Sequence, residues 1–455
     1  MIVTTNPATG EELARYEELD EAGIERALAR SHAAFGQWRA SPLAERTALL
    51  ARLAEAYEAN TDRLARQATL EMGKTFASAK AEVAKCAALF RYLAEDGERL
   101  LKPERWELPD GGVAEGHWLP LGPVLAVMPW NFPYWQVVRF LAPTILAGNT
   151  GLLKHASGVQ GVAALIAEMM EKAGAPDGLF QNLPIRSGPV AGIIADDRVV
   201  AVTLTGSEGA GAAVAQTAGK HLKKVVLELG GSDPFIVMPS ADLDVAVANA
   251  VKARIQNTGQ SCICGKRMIV HADVYDAFLE RFTAAMAAVR AGDPFDEGSD
   301  MGPLSSFEQR DTVLEQVAKA REEGATVLLE PEQPDGPGAY LTAGVLTDVP
   351  PGSHTAQDEI FGPVAQVYRA ADIAEAIRLA NDIPFGLGSS VWTEDKAEQD
   401  RFIREIEAGM TAVNQVLASD VRAPFGGIKK SGYGRELSEH GLHEFMNLKT
   451  VMRMG

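Results

Sequence analysis

The sequence predicts an α/β protein in which strands and helices alternate along most of the chain and form parallel sheets in two lobes. From about residue 121, short apolar strands alternate with helices of roughly 10 to 15 residues, which is typical of βαβ units. The first hundred residues are instead rich in Ala, Leu, Glu and Arg at helical spacing. A chain of 455 residues corresponds to about three domains, or to one large two-lobed unit, at roughly 150 residues per domain.

The elements can be assigned in order along the chain. Ser41 and Pro42 supply an N-cap and a first-turn proline for one long amphipathic helix that ends near Met72. After residue 120 the pattern changes to apolar runs of strand length, separated by segments with helical periodicity. We predict strands at 124–128, 151–154, 199–205, 225–229 and 235–238, and helices at 134–146, 163–173 and 210–220.

A second region of strands and helices runs from about residue 242 to 414, with turn-rich breaks at 293–294 and 332–338. We interpret this region as a second α/β lobe. The last residues, 447–454, have the pattern of a strand with no later partner in the sequence. Such a terminal strand often pairs with another element or with another subunit.

The composition excludes several kinds of partner. Lys and Arg number 43 and Asp and Glu number 61, so the formal net charge is −18 and polyanions are repelled at long range. The sequence has no basic run and no uninterrupted apolar stretch of about 18 residues, so neither nucleic acid nor a membrane is expected as a partner. Three cysteines are too few for a disulfide framework, and we expect a cytoplasmic protein.

A glycine-containing turn, TGSEGAG at 205–211, follows a predicted strand and opens a predicted helix. Backbone N–H groups at such a helix start can bind a phosphate, and Gly206 lets the backbone approach it closely. The spacing, Gly-x-x-Gly-x-Gly, differs from the common dinucleotide fingerprint. On the residues alone, two interpretations stay open: dinucleotide binding, or an ordinary turn between a strand and a helix.

Cys262 lies in a turn rich in glycine and polar residues, NTGQSCIC at 257–264, and is a candidate thiolate nucleophile. Cys86, in AEVAKCAALF, is more typical of a small buried core residue. Cys262 and Cys264 are separated by a single residue, and no nearby His cluster completes a zinc site. No metal is therefore expected.

Two polar side chains stand at the ends of predicted strands, at the sheet edge where ligands bind in α/β folds. Glu228, in ELGG, is either a general base whose pKa is raised by burial or a solvated glutamate at a strand end. Asn131, in PWNFP, is either an oxyanion donor or a turn asparagine.

Taken together and in this order, the motifs resemble the aldehyde dehydrogenase superfamily over nearly the whole chain. They are PWNFP at 129–133, KHAS at 154–157, TGS at 205–207, ELGG at 228–231, GQSC at 259–262, EIFGP at 359–363 and PFGGIKKSG at 424–432. The resemblance implies a doubly wound cofactor-binding lobe from 1–100 and 121–229, a catalytic α/β lobe at 230–430, and a small β oligomerisation element from 101–120 and 431–455. It also implies a homo-oligomer, either a dimer or a tetramer.

The same resemblance implies a role for each matching residue. Cys262 is the expected nucleophile, Asn131 with the Cys262 backbone N–H the expected oxyanion hole, and Glu228 the expected base that activates water. The expected cofactor is NAD or NADP, without a metal, and the expected cofactor-binding residues are Trp130, Lys154, Ser157, Gly206, Ser207, Gly211, Leu229, Glu359 and Phe361. Members strict for NAD often carry a glutamate where this chain has Ser157, so we predict that both cofactors are used.

Within the family, the chain resembles the shorter bacterial NAD(P)-dependent succinate-semialdehyde dehydrogenases. Arg139 lies on the helix that lines the substrate tunnel in the family, and we expect it to bind the distal carboxylate of an aldehyde substrate. A second arginine of well-known succinate-semialdehyde enzymes is replaced here by Gln256, and Arg422 with Ser419 are the expected substitutes. Another ω-carboxylated aldehyde, or a general aliphatic aldehyde, is the alternative substrate.

Cys264 is a candidate redox partner of Cys262, because residues i and i+2 of an extended segment lie roughly 6 to 7 Å apart at Cα, near the upper limit for a disulfide. Some members of the family use such a pair as an oxidative switch; the alternative is that Cys264 only packs. Two other functions are considered: an enzyme that passes the thioester to CoA, which the intact Glu228 disfavours, and a non-catalytic structural or binding protein. The retention of Cys262, Asn131 and Glu228 together disfavours the second.

Overall fold

The N-terminal segment is helical, as the sequence predicts, but its long helix is divided. The computed structural model describes residues 1–454. Asn60 separates two helices where one was expected, and its Nδ2 donates to Ala56 O at 2.7 Å. Ser41 donates to Trp38 O instead of capping, and the helix begins at Leu43. The elements here are strands Ile2–Thr5 and Glu12–Tyr16 and helices Glu21–Trp38, Leu43–Ala59, Thr61–Met72 and Phe76–Leu100.

The first large sheet has six strands, five of them parallel. Its order is Gly432–Tyr433, Lys224–Glu228, Ala201–Thr205, Pro123–Met128, Thr150–His155 and Phe180–Asn182, and only Gly432–Tyr433 is antiparallel. Helices Trp135–Ala147, Gln160–Lys172, Val190–Ala195 and Glu208–Lys220 connect the strands. The central strands are apolar and almost wholly buried because helices cover both faces of a parallel sheet. Each strand predicted between 124 and 229 is present, with ends shifted by at most two residues.

The second large sheet has seven strands. Its order is Thr326–Leu329, Gly344–Thr347, Val364–Ala370, Gly265–His271, Asp233–Val237, Ser390–Trp392 and Ala412–Val413, and only Thr326–Leu329 is antiparallel. Its helices are Leu243–Ile255, Ala272–Ala287, Phe307–Glu322, His354–Gln357, Ile373–Asn381 and Lys396–Glu405. A short strand pair, Phe385–Gly386 with Ile428–Lys429, lies outside it.

The chain crosses from the first large sheet to the second between Glu228 and Asp233, through residues 229–232. The strand predicted at 235–238 therefore belongs to the second sheet. Ser431 fastens this crossing, because its Oγ donates to Gly230 O at 2.7 Å and its carbonyl accepts from Leu229 N at 2.9 Å. The short crossing keeps the end of one sheet next to the start of the other.

The tail forms one edge of a small antiparallel sheet. Strand Met446–Arg453 pairs along its whole length with Val113–Pro120, which also pairs with Glu104–Glu107. The strand expected at 447–454 is thus present, and its partner is in the same chain. Helix Ser438–His443 precedes it, and the His443 ring stacks on Trp118 with 3.7 Å between ring centroids. Four large apolar side chains of this sheet stay exposed: Trp106, Leu119, Leu448 and Met452.

The two large sheets meet at the candidate site. Asn131 follows strand Pro123–Met128, and Cys262 precedes strand Gly265–His271. Asn131 Nδ2 donates to Gln260 O at 3.1 Å, which joins the two loops directly. The carboxyl ends of the first sheet therefore face the loop that leads into the second, where ligands bind in α/β folds. None of the helices in 1–454 combines the length and the apolar character that a membrane crossing requires.

Candidate active site

The loop that carries Cys262 has a strained backbone. Asn257 and Thr258 both have positive φ angles, 56° and 57°. Such a conformation costs a non-glycine residue about 1–3 kcal/mol, so it persists only when neighbours fix it. Asn257 Nδ2 donates to Asn131 O at 2.8 Å, and Thr258 Oγ1 donates to Gly302 O at 3.3 Å. These bonds fix the Cys262 loop against Asn131.

Cys262 lies where two cavities meet. The larger cavity has a volume of about 410 Å³ and the smaller about 160 Å³, and Cys262 and Gln136 line both. The larger cavity is also lined by Trp130, Gly206, Ser207, Leu229, Glu359 and Phe361. The smaller cavity is also lined by Lys85, Trp135, Arg139, Gln256, Ser419 and Phe425. A molecule in either cavity can therefore contact the same sulfur.

The Cys262 thiol is reachable from the cavities but lies in a poorly solvated environment. Burial raises the pKa of this thiol to about 12, and the positive charges of Lys266 and then Arg139 oppose the shift. Lys266 Nζ donates to Ser261 O at 2.7 Å and to Cys262 O at 2.8 Å. It also lies 3.0 Å from Glu359 Oε1. One ammonium group thus joins the nucleophile loop to a carboxylate of the larger cavity.

Asn131 has a fixed orientation. Its Oδ1 accepts from Gln136 Nε2 at 2.8 Å, so Nδ2 must point the other way, toward Gln260 O at 3.1 Å. An amide nitrogen has two N–H groups, and one is left for a ligand. Gln136 was not identified from the sequence; its signal there is a polar side chain in the otherwise apolar helix Trp135–Ala147.

Glu228 is enclosed at the end of its strand, with 2% of the residue exposed. Neither carboxylate oxygen has a hydrogen-bond partner among residues 1–454, and Glu228 lines neither of the two cavities. Burial raises the pKa of Glu228 well above its usual value, and the negative charge of Glu436 raises it further. Arg139 opposes both effects. A carboxylate with a raised pKa is a stronger base than an exposed glutamate, which is the property that a general base requires.

Arg139 lies beside the smaller cavity but already has an ionic partner. Its Nη2 is 2.7 Å from Glu436 Oε2, and only 4% and 6% of the two side chains are exposed. The guanidinium carbon lies 4.5 Å from the centroid of the Phe425 ring. Glu436 was missed in the sequence because no motif marks it. A substrate carboxylate would have to share this guanidinium with Glu436.

Most residues expected to bind the cofactor line the larger cavity, as described above. Ser207 is the N-cap of helix Glu208–Lys220, and its Oγ accepts from Ala210 N at 3.4 Å. The start of this helix therefore faces the cavity. Gly211 packs closely on Leu229, since a Cβ at Gly211 would lie 2.7 Å from the leucine side chain.

Lys154 and Ser157 lie outside the lining of the larger cavity. Lys154 belongs to strand Thr150–His155, where it is paired in register with Val127 of the neighbouring strand, and burial lowers its pKa. Ser157 begins the short turn that follows that strand. Both residues lie at the same sheet edge, one strand further from Cys262. A ligand longer than the cavity could therefore extend along this edge and reach them.

Of the residues expected on the substrate side, Arg139, Gln256 and Ser419 line the smaller cavity, and Arg422 does not. The expectation that Arg422 substitutes for the missing arginine needs correction. Its side chain is 73% exposed, and its Nε and Nη2 both donate to Asp420 at 2.8 Å. The carboxylate two residues away satisfies this guanidinium outside the cavity.

Lys85 also lines the smaller cavity and was not predicted from the sequence. Its Nζ donates to Ser419 Oγ at 2.6 Å and lies 4.6 Å from the centroid of the Trp135 ring. Lys85 and Ser419 are 334 residues apart, and Lys85 lies in helix Phe76–Leu100, which contains none of the motifs. No local pattern could have joined them.

Cys264 is completely buried, and all three cysteines are free. Its Sγ donates to Gln256 O at 3.4 Å, an environment typical of a packing residue. A redox pairing of Cys264 with Cys262 stays a prediction. Within residues 1–454, no three His, Cys, Asp or Glu side chains form a group that could hold a metal ion.

Comparison with known proteins extends over the whole chain. The model of the aldehyde dehydrogenase family matches residues 1–451. The chain is 51% identical over 452 residues to a Mycobacterium tuberculosis protein named succinate-semialdehyde dehydrogenase (NADP+) 1, and this match covers 99% of both chains. It is 50% identical over 452 residues to a Mycobacterium leprae protein named succinate-semialdehyde dehydrogenase (NADP+), again covering 99% of both.

Solved structures agree with these sequence matches. The succinic semialdehyde dehydrogenase from Streptococcus pyogenes, in complex with NADP+, superimposes with a TM-score of 0.97 at 38% identity and covers 99% of both chains. A structure described as giving insights into cofactor and substrate selection by Gox0499 has a TM-score of 0.97 at 39% identity and covers 100% of both chains.

Proposed function

The chain belongs to the aldehyde dehydrogenase family, and on this premise we propose that it oxidises succinate semialdehyde to succinate, with NADP or NAD as the hydride acceptor. The observation that carries the proposal is the position of Cys262 where the smaller and the larger cavity meet. An aldehyde in the smaller cavity and a cofactor in the larger one would both be able to contact the thiol. The relatives named succinate-semialdehyde dehydrogenase support the choice of substrate.

The reaction begins at Cys262. Its thiolate attacks the aldehyde carbon and forms a thiohemiacetal whose oxygen carries a negative charge. The free N–H of Asn131 Nδ2 and the backbone N–H of Cys262 donate to that oxygen. Lys266 favours the thiolate, because its positive charge is the strongest of the influences that lower the thiol pKa.

A nicotinamide cofactor, when bound, would supply the acceptor for the hydride of the thiohemiacetal carbon, and Cys262 would then carry the thioester. Glu228 then takes a proton from a water molecule while the water oxygen attacks the thioester carbonyl. The C–S bond breaks, the acid leaves, and Cys262 is again a thiolate. The raised pKa of Glu228 makes its carboxylate a stronger base for this proton transfer than an exposed glutamate would be.

The larger cavity fits a dinucleotide. Gly206 and the helix start at Ser207 would provide backbone N–H groups for phosphate, and the Glu359 carboxylate would accept hydrogen bonds from ribose hydroxyls. Lys154 and Ser157 extend the same sheet edge toward the adenosine end. Ser157 carries no negative charge that would repel a 2′-phosphate, which supports the use of NADP as well as NAD.

The small β-sheet is proposed as the oligomerisation element of a homo-oligomer, which is a dimer or a tetramer. Its exposed Trp106, Leu448 and Met452 support this role, since monomers rarely leave such apolar side chains together in water. The proposed domains of the chain are a cofactor-binding lobe (1–100 and 121–229), a catalytic lobe (230–430) and this oligomerisation element (101–120 and 431–455). A cytoplasmic location is part of the same proposal.

The test is the initial rate of NADPH and NADH formation with succinate semialdehyde, glutarate semialdehyde, butanal and benzaldehyde. We expect kcat/KM to favour the carboxylated aldehydes by about tenfold or more, which is about 1.4 kcal/mol of transition-state binding. A flat profile would contradict the substrate proposal and leave a general aldehyde dehydrogenase. Stimulation of turnover by CoA would contradict hydrolysis of the thioester by Glu228.

A further inference from the structure

The smaller cavity contains two cationic side chains, and their charges are compensated very differently. Arg139 has its carboxylate, because Nη2 lies 2.7 Å from Glu436 Oε2 and both side chains are buried. Lys85 has none: among residues 1–454, no carboxylate oxygen lies within salt-bridge distance of its Nζ. Its Nζ instead donates to the neutral Ser419 Oγ at 2.6 Å and faces the Trp135 ring.

The nearest carboxylates are occupied by other partners. Glu82, on the same helix as Lys85, forms a buried ion pair with Lys74 and accepts from the backbone N–H of Tyr134 at 2.8 Å. Asp420, in the loop beside Ser419, accepts both donors of Arg422 at 2.8 Å. The positive charge of Lys85 is therefore available to a ligand in the cavity.

We propose that Lys85 is a further specificity-determining residue, which binds the distal carboxylate of the aldehyde substrate beside Arg139, with Ser419 as an additional donor. This inference rests on the proposed function and names the group that recognises the substrate. On binding, one carboxylate oxygen takes the place of Ser419 Oγ as the acceptor of the ammonium. The hydroxyl is then free to donate to the other oxygen. Arg139 lines the same cavity, and its Nε and Nη2 make no hydrogen bond within residues 1–454, so it can contact the carboxylate beside Lys85 although Glu436 already balances its charge.

The size of the cavity fits this ligand. About 160 Å³ is well below the range of roughly 300–1,000 Å³ that drug-sized ligands occupy, so the cavity suits a short aliphatic acid. Cys262 lines the same cavity as Lys85. A short ω-oxo acid can therefore place its carboxylate at one end of the cavity and its aldehyde carbon at the thiol.

A pH-dependent specificity follows from the surroundings of Lys85. Burial and the positive charge of Arg139 lower the pKa of Lys85 to about 8, against the smaller opposing effects of Cys86, Asp420 and Glu82. Because the neutral amine does not attract a carboxylate, the preference for succinate semialdehyde over butanal should fall as the pH rises through about 8. The titrations of the thiol and of the general base act on both aldehydes and cancel in the ratio of their kcat/KM values.

The decisive variant is Lys85→Met, which keeps the length of the side chain and removes its charge. We expect the ratio of kcat/KM for succinate semialdehyde to that for butanal to fall by about tenfold or more, the loss typical of a charged contact. Lys85→Arg should retain the ratio, and Lys80→Met, an exposed lysine on the same helix, is the matched control. A smaller fall in the Lys85→Met variant would overturn the proposal.

Two further measurements do not depend on turnover of the acid by the variant. Succinate should inhibit butanal oxidation competitively, with an inhibition constant about tenfold higher or more in Lys85→Met than in the wild type. In the wild type the preference ratio should fall by about tenfold or more between pH 7 and 9.5, and not in Lys85→Arg. A constant ratio in the wild type would overturn the role of Lys85 even if Lys85→Met does not fold. If the wild type shows no preference at pH 7, the proposed substrate itself is wrong.

Discussion

Replacing Arg139 by Met tests whether this guanidinium primarily serves Glu436. The substitution keeps the apolar contacts of the side chain and removes the cation that lies 2.7 Å from the Glu436 carboxylate, whose side chain is 6% exposed. Burial already raises the pKa of Glu436, and Arg139 opposes that shift, so removal of the guanidinium should make Glu436 take up a proton. The variant is therefore expected to lose stability, and to lose more of it at higher pH.

The magnitude follows from the protonation of Glu436. In the unfolded chain its pKa is about 4.5, and each pH unit above that value costs about 1.36 kcal/mol to keep the group neutral. The penalty is thus about 3 kcal/mol at pH 7 and about 1.4 kcal/mol at pH 5.5. The folded variant binds a proton that the unfolded chain releases, so stability decreases as the pH rises above about 4.5.

Differential scanning calorimetry at the two pH values measures this effect. With an unfolding entropy of about 2.1 cal/mol/K per residue, a chain of 455 residues has about 1 kcal/mol/K in total, so Tm should fall by about 3 °C at pH 7 and about half as much at pH 5.5. The double variant Arg139→Met/Glu436→Gln should regain most of the lost Tm, because it leaves no buried charge. Arg422→Met, which breaks an exposed pair, is the control and should not change Tm.

The reasoning is refuted if the double variant is as unstable as Arg139→Met, since packing and not the unpaired carboxylate would then cause the loss. A Tm deficit that is equal at both pH values would refute it as well. A Tm that is unchanged in Arg139→Met would show that Glu436 finds another partner.

Three further outcomes are expected. Glu228→Gln should lower the steady-state rate by about 100-fold or more but leave an initial burst of one reduced cofactor per subunit, because the base acts only after hydride transfer. Loss of the burst in rapid-mixing kinetics would show that Glu228 acts before hydride transfer. Lys266→Met should slow alkylation of Cys262 by iodoacetamide at pH 8 by about tenfold, because the thiol pKa rises further; an unchanged rate would contradict the effect of the ammonium. Ser157→Glu should raise the KM for NADP by about tenfold or more and change the KM for NAD by less than about threefold; equal changes would show that this position does not face the 2′-phosphate.

The parts of the molecule that local patterns specify were predictable from the sequence. The strands of the first large sheet follow from short apolar runs, and Asn131 and Cys262 follow from motifs whose glycines and prolines fix the backbone. The break at Asn60 was not predicted, because apolar periodicity continues across it, while the side chains of Asn60 and Thr61 donate to carbonyls of the last helical turn. Boundaries of this kind depend on a few side-chain hydrogen bonds.

Contacts between distant parts of the chain were the least predictable. Arg422 was chosen because it lies near a motif, whereas the cavity contains Lys85, which meets Ser419 across 334 residues. Glu436 follows a motif closely but carries no pattern of its own, and its importance comes from Arg139 on a helix of the other half of the molecule. Charge pairing of this kind depends on the tertiary fold and leaves no periodic signal in the sequence.

The crossing of the chain at 229–232 has a consequence for protein engineering. Because Glu228 ends one sheet and Asp233 begins the other, a junction placed there in a chimera would take the base from one parent and the nucleophile loop from the other. Ser431, which fastens the crossing, would come from the second parent and bond to a backbone it did not evolve with. The two lobes are therefore poor modules for exchange, and recombination should be better tolerated in the exposed loop at 332–338.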